Sequence, residues 1–171
     1  MKRLTLMRHA DARWKDSSVS DLERPLNRRG CTDAEAMARR LAARGWVPDL
    51  ILASPARRAQ QTAEILAREF AERAPRVVRE ESLYLAASAE LLKLVQATGP
   101  RIAHLLIIAH NPGLSELVDA LLPREPPAEL AAAALCSIGF GCDSWGEIQA
   151  QQVTEVQREA PASRLFGLFA P

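Results

Sequence analysis

Short apolar runs alternate with amphipathic stretches along most of the chain, and this alternation predicts the fold. The apolar runs are typical of buried strands and fall at Leu4–Met7, Leu50–Ala53, Val77–Val78 and Leu105–Ala109. Between them, apolar or small residues recur every three or four positions, which indicates helices that face a core. Strands that alternate with helices predict a three-layer α/β/α sandwich with a mostly parallel central sheet.

Polar residues and prolines mark where four helices are expected to begin. Thr32 and Glu35 form a capping box, which places the start of the first helix at Thr32. Ser54–Pro55 and Asn111–Pro112 each put a capping residue before a proline. We therefore expect the second and fourth helices to begin directly after the strands that precede them. Ser88 is the expected cap of the third helix.

The pattern changes after the proline-rich segment 123–127. Leu135–Phe140 and Ile148–Val153 predict two more strands, which we expect to complete the sheet with an antiparallel edge. Residues 154–171 have no clear period and are interpreted as either a C-terminal tail or an edge segment. No repeat or linker divides the 171 residues, so residues 1–171 are expected to form a single domain.

Composition narrows the classes of function. Lys and Arg number 22 and Asp and Glu number 21, which gives a net charge of +1. Nucleic-acid and membrane-surface binders need a large basic excess, so neither kind of partner is expected. No apolar stretch approaches the roughly 18 residues needed to cross a bilayer. The three cysteines are too few for a disulfide scaffold, and their odd number favours reduced thiols and a cytoplasmic location.

Basic and imidazole side chains follow the ends of three predicted strands. Arg8 and His9 end the first strand, Arg57 and Arg58 lie one turn beyond the second, and His110 follows the fourth. Open α/β sheets bind ligands at the carboxyl ends of their strands, where helix N-termini and arginines favour anions. No spacing typical of a metal site is present. The sequence therefore predicts a phosphate pocket without a metal or another cofactor.

Each of these residues has a structural alternative when taken alone. A histidine at a strand end is often an ordinary loop residue, and Arg57 with Arg58 could be a solvated helix face. The shared position at one sheet edge favours the pocket. His104 is an internal comparison, because it precedes the strand that His110 follows and is expected about 20 Å away. We interpret His104 as structural or exposed.

Four segments resemble the histidine phosphatase superfamily, also called phosphoglycerate mutase-like. Residues 6–10 (LMRHA) resemble its Arg-His-Gly signature, and residues 54–63 (SPARRAQQTA) resemble its second signature. Residues 108–113 (IAHNPG) resemble the third, a strand that ends in histidine. Residues 21–30 (DLERPLNRRG) are similar to the R-P-L segment of the short members. The motifs and the small size of the chain most resemble phosphohistidine phosphatases of the SixA type.

The resemblance implies a single histidine phosphatase domain with phosphatase activity. His9 would be the nucleophile, and Arg8, Arg58 and His110 would bind the phosphoryl group. Arg24 would bind substrate at the rim of the pocket. Neutral imidazole is a good nucleophile near pH 7. Its attack on phosphorus would give a phosphohistidine on His9, which water then hydrolyses.

Four further residues bear on the implied site. Larger family members use a Glu beyond the third strand, so Glu81 is the candidate acid or substrate-binding carboxylate, with an exposed loop carboxylate as its structural alternative. Asp11 is a second candidate acid. Ala10 stands where the signature has Gly, and its methyl group would crowd the phosphate unless its φ is ordinary. Trp14 is expected to cover a partly buried surface or to line the mouth of the pocket.

The expected function is hydrolysis of phosphohistidine in a partner protein. Ser54 and His110 are separated by 55 residues, positions 55 to 109, and two helices and a strand take most of them. Little chain remains for a lid, and an open pocket suits a side chain presented by another protein. The alternatives are a phosphatase for a small phosphate ester and a catalytically silent phosphate-binding module. A mutase would need enclosing loops that this chain lacks.

Overall fold

A six-stranded sheet forms the centre of the computed structural model, which describes residues 1–13 and 18–162. The strands are β1 (Lys2–Arg8), β2 (Leu50–Ala53), β3 (Arg76–Arg79), β4 (His104–Ala109), β5 (Leu135–Phe140) and β6 (Val153–Glu159). Their order across the sheet is β3-β2-β4-β1-β5-β6. The first four in this order are parallel, and β5 and β6 are antiparallel to their neighbours. The predicted parallel sheet with an antiparallel edge is confirmed.

Two helices cover each face of the sheet. They are α1 (Arg28–Ala43) and α2 (Arg57–Glu69) on one face, and α3 (Ser88–Gln96) and α4 (Gly113–Leu121) on the other. Leu105 and Ile107 of β4 pack with α3 and α4, whereas Leu106 and Ile108 pack with α1 and α2. Burial on both faces explains the uninterrupted apolar run of β4. The fold is the expected three-layer α/β/α sandwich.

The first helix begins before its predicted cap. α1 starts at Arg28, and the Asn27 side chain accepts a 2.8 Å hydrogen bond from the Gly30 N–H. Thr32 lies inside the helix, where its hydroxyl donates to the Arg28 carbonyl at 3.2 Å. The capping box expected at Thr32 and Glu35 is therefore wrong. Asn27 is itself a favoured capping residue, and it comes earlier along the chain.

The caps expected for α2 and α4 are also wrong, because neither side chain accepts a described hydrogen bond from a backbone N–H of the first turn of its helix. The Ser54 hydroxyl lies 2.6 Å from His110 Nε2, and α2 begins at the third residue after Ser54. The Asn111 amide donates to the Leu130 carbonyl at 2.8 Å, and α4 begins two residues after Asn111. Ser88 is the first residue of α3 rather than its cap, so that boundary differs by one residue.

The last predicted strand, Ile148–Val153, is wrong. Within it, Ala150–Gln152 form a short 3-10 turn, and a second 3-10 turn, Trp145–Glu147, lies directly before it. Ile148 is buried in the core together with Trp145. The apolar character of this segment therefore reflects packing of a connecting loop against the core, not a strand.

The edge strand β6 lies later in the chain than expected. It pairs antiparallel with β5, so residues 154–159 are edge strand. Charged and exposed positions alternate irregularly with partly buried ones along β6, which conceals its period. Residues 163–171 lie outside the described residues. Within the part of the chain that the structure describes, no helix is both long and apolar enough to cross a bilayer.

Candidate active site

The carboxyl ends of β1, β2 and β4 lie side by side in the sheet. Strand pairing places Met7 of β1 and Ala53 of β2 on either side of Ile108 of β4. His9 and His110 therefore leave the sheet at the same edge, and their ring centroids are 5.1 Å apart. The convergence of strand-end residues that the sequence predicts is present.

The two ring nitrogens of His9 have different partners. His9 Nδ1 lies 2.8 Å from the Ala10 carbonyl. Because a carbonyl oxygen can only accept, Nδ1 carries the proton and Nε2 presents its lone pair. Arg58 Nε donates to that lone pair at 3.2 Å. Burial is the main cause that lowers the pKa of His9 to about 3, and the Arg58 charge acts in the same direction. His9 is therefore neutral at pH 7.

His110 is buried and oriented from both sides. Its Nε2 lies 2.6 Å from the Ser54 hydroxyl, and its Nδ1 lies 3.4 Å from Arg58 Nη2. The guanidinium can only donate, so Nε2 carries the proton and donates to Ser54. Burial first, and then the Arg58 charge, lowers the pKa of His110 to about 4. The ring edge of Tyr84 lies against His110, with centroids 5.7 Å apart.

Arg58 lies between the two histidines, at the start of α2. Its side chain is 4% exposed. Besides its contact with His9, Nη1 donates to the Asp21 carbonyl at 2.5 Å and Nη2 to the Asp21 carboxylate at 3.0 Å. The Arg58 backbone carbonyl accepts from the Thr62 hydroxyl at 2.7 Å, four residues on. All three guanidinium nitrogens therefore point at groups of the site.

Asp21 and Tyr84 are site residues that sequence reasoning missed. The Asp21 carboxylate accepts hydrogen bonds from Arg24 at 2.5 Å, from Tyr84 at 2.7 Å and from Arg58. Partial burial raises the pKa of Asp21, but the bonds from Tyr84 and Arg58 outweigh it, so the pKa lies below its usual value. The R-P-L segment was a signal for this loop, whereas nothing in the sequence singled out Tyr84.

The two remaining predicted arginines lie at the margin of the site. Arg8 Nη1 donates to the Leu130 carbonyl at 3.0 Å and lies 3.5 Å from Glu129. Its charge still lowers the pKa of both histidines, after the effects of burial and Arg58. Arg24 is partly exposed and pairs with Asp21. Both arginines are paired with carboxylates, Arg8 with Glu129 and Arg24 with Asp21.

Neither candidate acid contacts the two histidines among the described contacts. Glu81 lies in an exposed 3-10 turn and pairs with Arg79 at 2.6 Å. The Asp11 carboxylate pairs with Arg13 at 2.7 Å. Tyr84, three residues after Glu81, is the residue of that segment that reaches the site.

Ala10 fits its position without the freedom of a glycine. It is fully buried, and its N–H donates to the Thr62 hydroxyl at 3.1 Å. Its φ lies outside the positive range in which glycine is favoured. The methyl group is therefore compatible with the backbone next to His9.

Two residues that the sequence analysis considered, His104 and Trp14, are not among the described residues of the site. His104 opens β4 at the opposite sheet edge and is buried, with Nε2 2.9 Å from the Thr5 hydroxyl, which confirms its structural role. Trp14 lies outside the described residues. The described part of the chain has no group of three or more His, Cys, Asp or Glu side chains arranged to hold a metal ion.

Comparison with known proteins agrees with this geometry. The sequence model of the histidine phosphatase superfamily (branch 1) matches residues 4–83. Phosphohistidine phosphatase SixA of Escherichia coli is 31% identical over 159 residues, which cover 82% of this chain and 89% of that protein.

Solved structures give the same result. A protein from Agrobacterium tumefaciens assigned as phosphohistidine phosphatase SixA superposes with a TM-score of 0.78 at 27% identity, covering 94% of this chain and 99% of that one. The protein histidine phosphatase SixA in complex with tungstate gives 0.74 at 25% identity, covering 95% and 99%. The chain belongs to the histidine phosphatase superfamily, as a member of the SixA type, and is a phosphatase.

Proposed function

We propose that this phosphatase hydrolyses phosphohistidine in a partner protein without a metal, and that His9 carries the phosphoryl group between two steps. The observation that carries the proposal is the state of His9. Its Nδ1 proton is held by the Ala10 carbonyl, and its pKa of about 3 leaves the Nε2 lone pair free of a proton at pH 7. The names of the SixA relatives support phosphohistidine as the substrate class.

In the first step the Nε2 lone pair of His9 attacks phosphorus, and the bond from phosphorus to the substrate nitrogen breaks. A substrate ring protonated at its other nitrogen leaves as neutral imidazole. In the second step water attacks phosphorus, the bond to His9 Nε2 breaks, and inorganic phosphate leaves. Arg58 Nε donates to the same lone pair in the free enzyme, so it turns to the phosphoryl oxygens before attack.

Phosphoryl transfer depends mainly on stabilising the negative charge that spreads over the phosphoryl oxygens. Arg58 and His110 flank His9, and the charge of Arg8 reaches both histidines. The two guanidinium groups supply positive charge and hydrogen-bond donors without a divalent ion. We therefore propose that turnover persists in EDTA.

The choice between phosphohistidine and a phosphate ester rests on the leaving group. An alkoxide leaving group needs a general acid, whereas a protonated imidazole needs none. Glu81 lies in a surface pair with Arg79. Asp21, which touches Arg58, is held in its ionised form by Tyr84 and Arg58. Neither Glu81 nor Asp21 is therefore placed and protonated to act as the general acid that an ester needs. This favours phosphohistidine as the substrate.

The test joins chemical trapping with a comparison of substrates. Wild type should be labelled by a phosphohistidine protein in an acid-labile form, and His9→Ala should lose both label and turnover. His104→Gln, a change at the opposite sheet edge, is the matched control and should keep both. Turnover of the phosphohistidine protein should exceed that of a panel of small phosphate esters. Normal activity of His9→Ala would overturn the mechanism, and faster ester turnover would favour the small-ester alternative.

A further inference from the structure

The Asp21 carboxylate lies where hydrogen-bond donors from three parts of the chain converge. Arg24 comes from the same loop, Arg58 from α2, and Tyr84 from the segment after β3. Two charged forks and a hydroxyl around one anion form the kind of site that binds phosphate oxygens. In the free enzyme these donors bond to the Asp21 carboxylate.

The side chains of Asp21 and Arg58 differ in their exposure to solvent, which shows which of the two an incoming anion meets first. The Asp21 side chain is 45% exposed, whereas the Arg58 side chain is 4% exposed. Solvent therefore reaches the carboxylate more readily than the guanidinium. An anion that binds Arg58 Nη2 has to take the place of the Asp21 oxygen that now lies 3.0 Å from it.

The loop around Asp21 is held by contacts that do not involve its carboxylate. Its backbone carbonyl accepts from Arg58 Nη1 at 2.5 Å, and the neighbouring Leu22 carbonyl accepts from the Arg57 N–H at 2.8 Å. Further along, the Leu26 N–H donates to the Gln61 side chain at 2.8 Å. The carboxylate can therefore rotate away while these backbone contacts hold the loop in place.

We propose that the Asp21 carboxylate is an internal competitor for the phosphate site, which substrate must displace and which returns to help phosphate leave. The proposal rests on the proposed function, because it takes Arg58 as a ligand of the phosphoryl group. Binding is then an exchange of one anion for another on the same donors. A carboxylate that returns to Arg58, Arg24 and Tyr84 limits inhibition by the phosphate that each turnover releases.

The competing explanation is that Asp21 only orients Arg58. The two roles predict opposite effects of Asp21→Asn, which keeps the size of the side chain and removes its charge. If Asp21 competes, the variant binds phosphate more tightly. If Asp21 only orients Arg58, the variant binds phosphate more weakly and kcat falls.

The experiment is calorimetric titration of each variant with inorganic phosphate, together with steady-state kinetics. We expect the Kd for phosphate and the KM for substrate of Asp21→Asn to fall about tenfold, the equivalent of one hydrogen bond to a charged group. We expect kcat to change less than about threefold. Glu23→Gln is the matched control, because Glu23 is an exposed carboxylate of the same loop; it should leave Kd within about twofold of wild type.

The possible outcomes distinguish failure of the competitor role of Asp21 from failure of the proposed phosphate pocket. Unchanged or weaker binding by Asp21→Asn, with binding by wild type still lost in Arg58→Ala, overturns the competitor and leaves the phosphate pocket standing. If Glu23→Gln and Asp21→Asn lower the Kd for phosphate equally, the effect is due to the loss of any negative charge in the loop. That result also overturns the competitor role of Asp21. If no variant binds phosphate and turnover is lost as well, both the proposed phosphate pocket and the competitor role of Asp21 are wrong.

Discussion

Arg57 and Arg58 are adjacent in sequence but differ in their surroundings. Arg58 is buried against His9 and Asp21, whereas Arg57 is exposed at the first position of α2. We expect Arg58→Ala to lower kcat/KM about a hundredfold, because a fully engaged contact to the transferring phosphoryl group is worth about 3 kcal/mol. Arg57→Ala should lower it less than about threefold. Steady-state kinetics on one substrate measure both.

Arg58→Lys provides a further comparison at the same position. Lysine keeps the charge but lacks the planar fork that reaches His9, His110 and the phosphoryl group together. Its kcat/KM should fall between those of Arg58→Ala and wild type. Equal losses for the alanine variants of Arg57 and Arg58 would show that the buried guanidinium is not the one that binds phosphate.

The residues of the site differ in how far the sequence could predict them. His9 and His110 were predictable because each directly follows a strand. Arg57 and Arg58 both lie one turn beyond a strand, and the resemblance to the second family signature singled out Arg58. Asp21 bonds to Arg58 across 37 positions, and Tyr84 bonds to Asp21 across 63. Such contacts depend on how two irregular loops fold over the sheet edge, and no local pattern encodes that path.

At the scale of elements, the start of α4 is fixed by a close contact with the segment before α3. A Cβ added to Gly113 would overlap the Ala86 carbonyl. Alanine normally favours a helix over glycine, by about 1 kcal/mol. Here the overlap reverses the sign, and we expect Gly113→Ala to lower the free energy of unfolding by about 2 kcal/mol. Urea denaturation measures it.

The same substitution tests how α4 supports the site. Gly113 lies three residues after His110, so a displaced helix start should also lower kcat/KM. Gly99→Ala is the matched control, because a Cβ there meets nothing within 4 Å. A Gly113→Ala variant as stable and active as wild type would show that the two segments separate without cost.

The existence of the four helices was predictable from periodicity, but none of the four expected caps is the cap in the structure. Ser54 and Asn111 are good capping residues by type, yet the first bonds to His110 and the second to the Leu130 carbonyl. These two side chains form hydrogen bonds with distant residues at the site, whereas in an isolated helix they would cap its N-terminus. The misplaced caps of α2 and α4 therefore fall next to the site.

Across the whole molecule, the parallel part of the sheet was easier to predict than its antiparallel edge. β4 is buried on both faces and reads as a continuous apolar run. β6 pairs on one side only and carries charged residues, among them Arg158, which bonds to Glu125. An edge strand of this kind has little apolar pattern, whereas the segment that begins at the buried loop residue Ile148 resembles a strand.

The three histidines also link the stability of the whole molecule to pH. Burial, as the largest cause in each case, lowers the pKa of His9 to about 3 and those of His104 and His110 to about 4. In the unfolded chain the ordinary value is about 6.5. Below that value the unfolded state binds more protons than the native state. Stability is therefore complete above about pH 6.5 and falls as the pH decreases towards the native pKa values.

We expect the free energy of unfolding to decrease between about pH 7 and pH 5.5 by about 1 kcal/mol for each of these histidines. The ordinary pKa values of Asp and Glu, about 4, lie below this interval, so carboxylates contribute little to the change. Urea denaturation at several pH values gives the slope. His104→Gln keeps a side chain that can bond to the Thr5 hydroxyl but does not titrate, so its slope should be about two thirds of that of wild type. A slope unchanged in this variant would mean that His104 is protonated alike in the native and unfolded states.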